Sequence, residues 1–184
     1  MTTVTVMARD TPWSVEDLDH LPDDGLQYEL FDGMLVVSAA PNIPHQRAVF
    51  ACGRLLHAHC PPELEAFVAP VDFQPSQRIS LQPDVLVARR DSLGVKNLTI
   101  APVLVVEVLS DGTRSKDLIL KRGIYQRTGV ASYWVIDPDR TSLTAYDLVE
   151  GAYRRVVEVR GTERATLHLP FTVAVCPADL VAGR

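Results

Sequence analysis

The sequence predicts one α/β (α+β) domain, in which helices flank a central mixed β-sheet and a β-hairpin lies near each end of the chain. Two apolar runs, LQPDVLVA at 81–88 and APVLVVEVLS at 101–110, have the Val and Leu content of strands buried on both faces. Residues 44–60 and 114–128 have the apolar spacing of helices. Because strands and helices alternate along the chain, we expect a layered core.

The length and composition fit a single domain, 1–184, with a core at about 27–138 and a hairpin extension at about 139–184. Hydrophobic residues make up 47% and charged residues 22%, as in ordinary soluble domains. The three cysteines lack a disulfide-like spacing and suit a reducing compartment. No basic leader or uninterrupted apolar span is visible, so we expect a cytoplasmic protein that does not enter a membrane.

The net charge of −5 is unevenly distributed along the chain. Residues 1–32 contain eight acids and only one basic residue, Arg9. Between Arg78 and Arg127, nine basic residues outnumber five acids. The acidic total therefore does not exclude a positive surface of the kind that nucleic acids bind.

The N-terminal segment predicts an arm, a short helix and a hairpin. Residues 1–13 show no periodicity. Ser14 is a typical N-cap with Asp17 three residues on. Asp32-Gly33 is a typical hairpin turn within YELFDGMLVV. Glu29 lies on the first strand of this hairpin, and the local sequence favours a solvent-facing position for it.

The remaining segments predict strands around two helices. They are a helix at 44–60, a strand at 63–73, a turn or loop at 74–80, strands at 81–88 and 101–110, a helix at 114–128, a strand at 131–137, a hairpin at 143–160 and a short strand at 165–169. The expected core contacts of the second helix are Leu118, Ile119, Ile124 and Tyr125. In the same helix Asp117, Lys121 and Tyr125 are spaced by four and form one stripe.

Glu107 is a carboxylate inside the most apolar run of the chain. An unpaired charge there would cost several kcal/mol, so Glu107 must be protonated, ion-paired or bound to a metal. Asp84 begins the neighbouring predicted strand, and Lys121 lies on the helix that follows. Two carboxylates that share a face need a divalent cation or a lysine to compensate them. Mg²⁺ suits such a pair and can activate water for attack on a phosphodiester, with Lys121 stabilising the developing charge.

The residues alone leave two interpretations open. Glu107 forms either a structural ion pair with Lys121 or Arg114, or a metal-dependent site with Asp84 and Lys121. The string VEVLS, the residues Asp117, Lys121 and Tyr125, and GVASYWVIDP resemble the Uma-two branch of the PD-(D/E)XK nuclease superfamily. The resemblance extends through YELFDGMLVV, the HQR string at 45–47 and QPDVLV, so it covers about residues 27–138.

This resemblance implies a restriction-endonuclease-like core and a role for each matching residue. Asp84 and Glu107 correspond to the metal-binding acids, and Glu29 to an additional acid near the site. The accessory residues that it implies are His45, Asp117 and Tyr125. The superfamily's usual lysine lies two residues after the acid, where this chain has Leu109. Its role therefore passes to Lys121.

The resemblance implies a Mg²⁺-dependent endonuclease, for which Mn²⁺ can substitute, that cleaves DNA to leave a 5′-phosphate and a 3′-hydroxyl. Cutting both strands calls for a homodimer. The alternative is a nuclease-fold protein that does not cleave and acts as a nucleic-acid- or protein-binding module or as a structural homodimer. The branch commonly has Ser-Pro where this chain has Ser110-Asp111, which alters the turn after the strand. No base-reading motif is visible, so the sequence predicts no target site.

Overall fold

The computed structural model describes residues 4–7, 9–110 and 116–182. Its elements in chain order are β1 (Val4–Met7), α1 (Val15–Leu18), β2 (Gln27–Phe31), β3 (Met34–Ser38), α2 (Ile43–His59), β4 (Leu64–Val68), β5 (Phe73–Ser76), β6 (Ile79–Leu81), β7 (Val85–Arg89), β8 (Leu104–Val108), α3 (Arg122–Thr128), β9 (Ser132–Asp137), β10 (Ser142–Val149), β11 (Ala152–Arg160), β12 (Ala165–Leu167), β13 (Val173–Val175) and α4 (Pro177–Val181). A 3₁₀ turn at Arg90–Ser92 and a π-helical turn at Lys116–Lys121 complete them.

A six-stranded mixed sheet forms the centre of the fold, in the order β11-β10-β9-β8-β7-β4. Strands β8 and β9 are parallel, and the other neighbours are antiparallel. The segment that ends in α3 connects the parallel pair, as a crossover must. The predicted mixed sheet with flanking helices is confirmed.

The core lies on both faces of this sheet, as the Val and Leu content of β7 and β8 predicts. Alternate residues of β8 point to opposite faces, so Val106 packs with Trp134 and α2, whereas Val105 packs with Tyr133 and α3. The small α4 also packs against α2. None of the helices in the described ranges is both long and apolar enough to cross a membrane.

A second, antiparallel sheet contains the predicted N-terminal hairpin, in the order β1-β3-β2-β6-β5. Asp32 and Gly33 have positive φ angles of 54° and 85°, which the two-residue turn between β2 and β3 requires. The expectation of an irregular arm at 1–13 is wrong for Val4–Met7, which pairs with β3 as an edge strand. The side chains of Thr5, Val6 and Met7 are exposed, so no apolar alternation marks this strand in the sequence.

Two prolines divide segments that the sequence predicts as continuous strands. The strand expected at 63–73 is interrupted at Pro70, and its halves β4 and β5 belong to different sheets. The strand expected at 81–88 is interrupted at Pro83, so that β6 ends before β7 begins. Proline cannot donate to a strand ladder, which explains both breaks. The loop expected at 74–80 is in fact the β5–β6 hairpin.

The segment before α3 departs from regular helix geometry. Its last six residues, Lys116–Lys121, form a π-helical turn. Ile119 is 71% exposed, so its expected place in the core is wrong, whereas Ile124 and Tyr125 are buried as predicted. A π-helical turn changes the number of residues per turn, and a spacing rule for α-helices then points the wrong side chain inward. The expected contact of Leu118 lies outside the described side chains.

The C-terminal part confirms the predicted hairpin, which is β10 and β11. The last expected strand, 165–169, is observed as Ala165–Leu167. Two further elements, β13 and α4, were not predicted. They are only three and five residues long, too short for a periodic pattern to identify.

Candidate active site

Glu107 lies at the centre of the candidate site, on the buried strand β8. Its side chain is 2% exposed. The Tyr125 hydroxyl donates a hydrogen bond to Oε1 at 2.7 Å. Lys121 Nζ is 3.0 Å from Oε1 and 3.1 Å from Oε2. The charge of Glu107 is therefore compensated by an ammonium group inside the protein.

Glu29 shares the same ammonium group. Its Oε1 is 2.9 Å from Lys121 Nζ and accepts a hydrogen bond from the backbone N–H of Gln82 at 3.0 Å. The expectation of a solvent-facing Glu29 is wrong, because the residue has no exposed surface. Strand β2 lies between β3 and β6 and is buried at successive positions. The alternation of polar and apolar residues in its sequence therefore does not show whether the Glu29 side chain faces solvent. We call Glu29, Glu107 and Lys121 the buried charge cluster.

Asp84 lies at the end of the ladder between β7 and β8. Val85 pairs with Val106 in this ladder, and continuing the register by one residue sets Asp84 opposite Glu107. The backbone N–H of Val108 donates to Oδ2 of Asp84 at 2.7 Å, so the carboxylate terminates the ladder just after Pro83. No donor among the described residues contacts Oδ1. The side chain of Asp84 is 16% exposed and thus more accessible than that of Glu107.

His45 holds the same oxygen of Asp84 from the first turn of α2. Its Nε2 is 3.2 Å from Oδ2 of Asp84. The helix begins here because the Asn42 side chain accepts the backbone N–H of His45 at 3.0 Å. Within the described part of the chain, the buried Nδ1 of His45 has no hydrogen-bond partner. The tautomer with its proton on Nε2 therefore donates to Asp84 and leaves Nδ1 as an unused acceptor.

Burial controls the proton chemistry of two other side chains near the site. Burial, together with the charges of Glu107 and Glu29, raises the pKa of the Tyr125 hydroxyl well above 10. Tyr125 therefore remains a hydrogen-bond donor to Glu107. Burial, with a smaller effect of Asp84, raises the pKa of the Cys52 thiol to about 12, which excludes a thiolate nucleophile at neutral pH.

The structure brings six of the seven predicted site residues into two neighbouring groups. The buried charge cluster with Tyr125 forms one group, and Asp84 with His45 forms the other. The side chain of Asp117 lies outside the described part. In the described ranges, no three His, Cys, Asp or Glu side chains are arranged to hold a metal ion.

Sequence reasoning missed two residues beside these groups, Gln82 and Asp72. The backbone N–H of Gln82 donates to Glu29, and Gln82 and Glu29 both lie close enough to Asp72 to affect the pKa of its carboxyl. Burial raises the pKa of the Asp72 carboxyl, and the nearby charge of Glu29 adds to this effect. Gln82 directly precedes the Pro-Asp pair, which is the signal that could have identified it.

Asp84 lines an open groove of about 520 Å³. Three glutamines also line it, Gln27, Gln46 and Gln82, and Phe50 of α2 forms part of its wall. Amide groups both donate and accept hydrogen bonds, so the groove offers a polar surface beside the more accessible of the two acids.

Comparison with known proteins gives a matching family and similar solved structures. A family model described as "Uma2: Putative restriction endonuclease" matches residues 15–178. A crystal structure of a "putative nuclease belonging to DUF820" from Anabaena variabilis superimposes with a TM-score of 0.73. It is 18% identical and covers 92% of this chain and 98% of that chain, which shows a common fold. Among curated proteins there is no match.

Proposed function

The chain belongs to the Uma2 family, and on that premise we propose that it is a Mg²⁺-dependent endonuclease that hydrolyses DNA. The family and the nuclease-like fold support nuclease-type function. One observation supports the finer proposal most strongly. Asp84 and Glu107 are the residues next to the last pair of the β7–β8 ladder, Val85 with Val106, and an ammonium group lies 3.0 Å from Glu107.

The residues fit a hard divalent cation by the chemistry of their donors. Mg²⁺ in nuclease-type sites is commonly held by one or two carboxylates, with water and phosphate oxygens completing the shell. Asp84 and Glu107 would hold it, and Oδ1 of Asp84 has no donor among the described residues. When bound, the cation would lower the pKa of a water ligand and neutralise charge on the phosphodiester. Mg²⁺ bound in this way does not need three protein ligands, because water and phosphate oxygens complete its shell.

The surrounding residues orient these acids. His45 and the Val108 N–H fix Asp84, whereas Tyr125 fixes Oε1 of Glu107. In this proposal Lys121 supplies a positive charge beside Glu107, whose carboxylate oxygens lie 3.0 and 3.1 Å from Nζ, and that charge would stabilise negative charge that develops on a phosphate.

Glu29 contributes indirectly to the same arrangement. It binds Lys121 and the backbone of Gln82, two residues before Asp84. It thereby links the lysine to the chain segment that carries the first metal-binding acid. We therefore assign Glu29 a positioning role.

Cleavage of plasmid and linear duplex DNA tests the proposal. We expect cleavage with Mg²⁺ or Mn²⁺, none in EDTA, and products with a 5′-phosphate and a 3′-hydroxyl. Asp84→Asn and Glu107→Gln should each reduce the rate at least about 100-fold, since each removes a charged ligand. Asp91→Asn is the matched control, because Asp91 is exposed beside Arg89. Full activity in EDTA or in both site variants would contradict the proposal.

A second candidate function is a nuclease-fold protein that binds nucleic acid or a protein partner without cleavage, or a structural homodimer. The buried charge cluster favours it, because Lys121 already compensates Glu107. Titration with Mn²⁺ separates the two candidates, since a purely structural ion pair binds no cation. Light scattering tests the homodimer that we propose for cutting two strands.

A further inference from the structure

The exposed face of α2 presents a row of arginine and phenylalanine. Arg47, Phe50 and Arg54 are spaced i, i+3 and i+7, and therefore lie on one side of the helix. Phe50 is 65% exposed, and the Arg54 guanidinium lies 5.7 Å from the centre of its ring. The helix contains no Asp or Glu. Among the described residues, no carboxylate forms an ion pair with Arg47 or Arg54.

This row forms one wall of a groove of about 480 Å³ between α2 and α4, which we call the α2–α4 groove. The lining of the groove also contains Arg164 and Asp179, whose charged groups are 3.4 Å apart. Three arginines thus face one acid, and the groove carries net positive charge although the chain carries −5. Such a surface complements a polyanion rather than another acidic copy of this chain.

The chemistry of this row matches one nucleic-acid strand. A guanidinium group binds phosphate through paired N–H donors, and an exposed aromatic ring stacks on a base. Stacking on Phe50 needs an unpaired base face, which a single strand offers and the interior of a duplex does not.

The α2–α4 groove shares a wall residue with the groove that contains Asp84. Phe50 lines both of them. Gln46, one turn before Phe50 on α2, lines the second groove, and its neighbour His45 contacts Asp84 at 3.2 Å. A strand that follows the exposed face of α2 from Arg54 past Phe50 to Gln46 therefore leads toward Asp84.

We propose that the α2–α4 groove binds a single-stranded segment of DNA, with Arg47 and Arg54 on phosphates and Phe50 against a base, and that it directs the strand to Asp84. The proposal that the groove directs the DNA strand to Asp84 rests on the proposed function, whereas the proposal that the groove binds the strand does not. The two are therefore tested by separate measurements.

Fluorescence anisotropy with a labelled single-stranded oligonucleotide in EDTA measures binding without cleavage. Phe50→Leu should weaken binding about tenfold, because the leucine keeps the apolar bulk and loses the stacking. Replacing both Arg47 and Arg54 by Ala should lower the slope of log affinity against log salt by about 1.4, or about 0.7 for each phosphate contact. Arg78→Ala is the matched control, because Arg78 is exposed at the β5–β6 turn in the other sheet.

Several results would overturn the proposal. These are wild-type protein that does not bind the oligonucleotide, groove variants that bind as tightly as wild type, and an equal loss in Arg78→Ala. Preferred binding of duplex with no effect of Phe50→Leu would also overturn it. If light scattering shows a dimer that Phe50→Leu converts to a monomer, a second copy of the chain occupies the groove instead.

Asp84→Asn distinguishes failure of this proposal from failure of the proposed function. This variant should bind the oligonucleotide like wild type and lose cleavage. If cleavage depends on Asp84 but the groove variants retain full DNA binding, only the proposal that the groove binds DNA is overturned. Oligonucleotide binding that depends on Phe50, in a wild-type protein without cleavage, would overturn only the proposed nuclease function.

Discussion

The two acidic groups of the site are compensated in opposite ways. In the buried charge cluster, Glu29 and Glu107 are almost completely enclosed and share one ammonium group. Asp84 lies at the end of a strand ladder beside an open groove, where a backbone N–H and an imidazole contact it. The enclosed acids are therefore part of what holds the fold together. Asp84 has one oxygen without a donor among the described residues. The difference predicts that Glu107 is needed both for folding and for the proposed chemistry, whereas Asp84 is needed for the proposed chemistry alone.

The largest effect on folding is expected for Lys121→Met. This change leaves two enclosed carboxylates without their shared cation, and breaking a buried ion pair in this way costs about 3–5 kcal/mol. Urea denaturation of the purified variant measures the loss in the free energy of unfolding.

Lys96→Met is the control for that experiment, because Lys96 forms an ion pair with Asp19 at the surface. An exposed pair of this kind contributes about 0–1 kcal/mol. A Lys121→Met variant as stable as Lys96→Met would show that the buried charge cluster does not hold the fold together.

Tyr125→Phe should have the next largest effect. It removes the 2.7 Å hydrogen bond to Glu107 and leaves the ring in place. Loss of a hydrogen bond to a charged group costs about 1.5–3 kcal/mol, which thermal or urea denaturation at pH 7 can detect. A change below about 0.5 kcal/mol would mean that this hydrogen bond contributes little to holding Glu107.

Alkaline pH should reduce the advantage of wild type over Tyr125→Phe. The pKa of Tyr125 is raised in the folded protein, so its stabilising contribution is complete below about pH 10, the pKa in the unfolded chain. It decreases as the pH rises toward the raised value, by about 1.4 kcal/mol for each pH unit. Urea denaturation of both proteins at pH 9.5 and 11 measures this difference. A constant difference between the two proteins would show that Tyr125 ionises in the folded state as readily as in the unfolded one.

The smallest effect on folding is expected for Asp84→Asn. The amide oxygen can still accept the N–H of Val108, so the free energy of unfolding should change by less than about 1 kcal/mol. The same variant should lose cleavage, which sets it apart from Lys121→Met. A loss of stability as large as that of Lys121→Met would remove the contrast between the two acidic groups.

Much of the central fold follows from local sequence. The Val and Leu runs of β7 and β8 identify strands buried on both faces, and the Asp32-Gly33 turn identifies the first hairpin. The apolar spacing of 44–60 predicts α2, which the structure places at Ile43–His59. In each case the physical cause of the pattern is local, either a turn conformation or a buried face.

The errors concern features that depend on distant parts of the chain. Glu29 is buried because Lys121 and the backbone of Gln82 lie against it, which the sequence around Glu29 does not reveal. Strand β1 exists only because β3 offers it an edge. Ile119 is exposed because it lies in the π-helical turn Lys116–Lys121 that precedes α3.

The candidate site likewise has features that local sequence predicts and features that depend on distant parts of the chain. Glu107 could be predicted because an acid in an apolar strand requires a partner, and Lys121 was one of the candidates. The sharing of Lys121 with Glu29 could not be predicted, because it depends on how the second sheet packs against the first.

Anomalous diffraction from a crystal soaked in Mn²⁺ shows whether Asp84 and Glu107 together hold a divalent cation. We expect one peak about 2 Å from a carboxylate oxygen of each residue. A map without a peak at this position, with the Lys121 ammonium still between Glu29 and Glu107, would contradict this expectation.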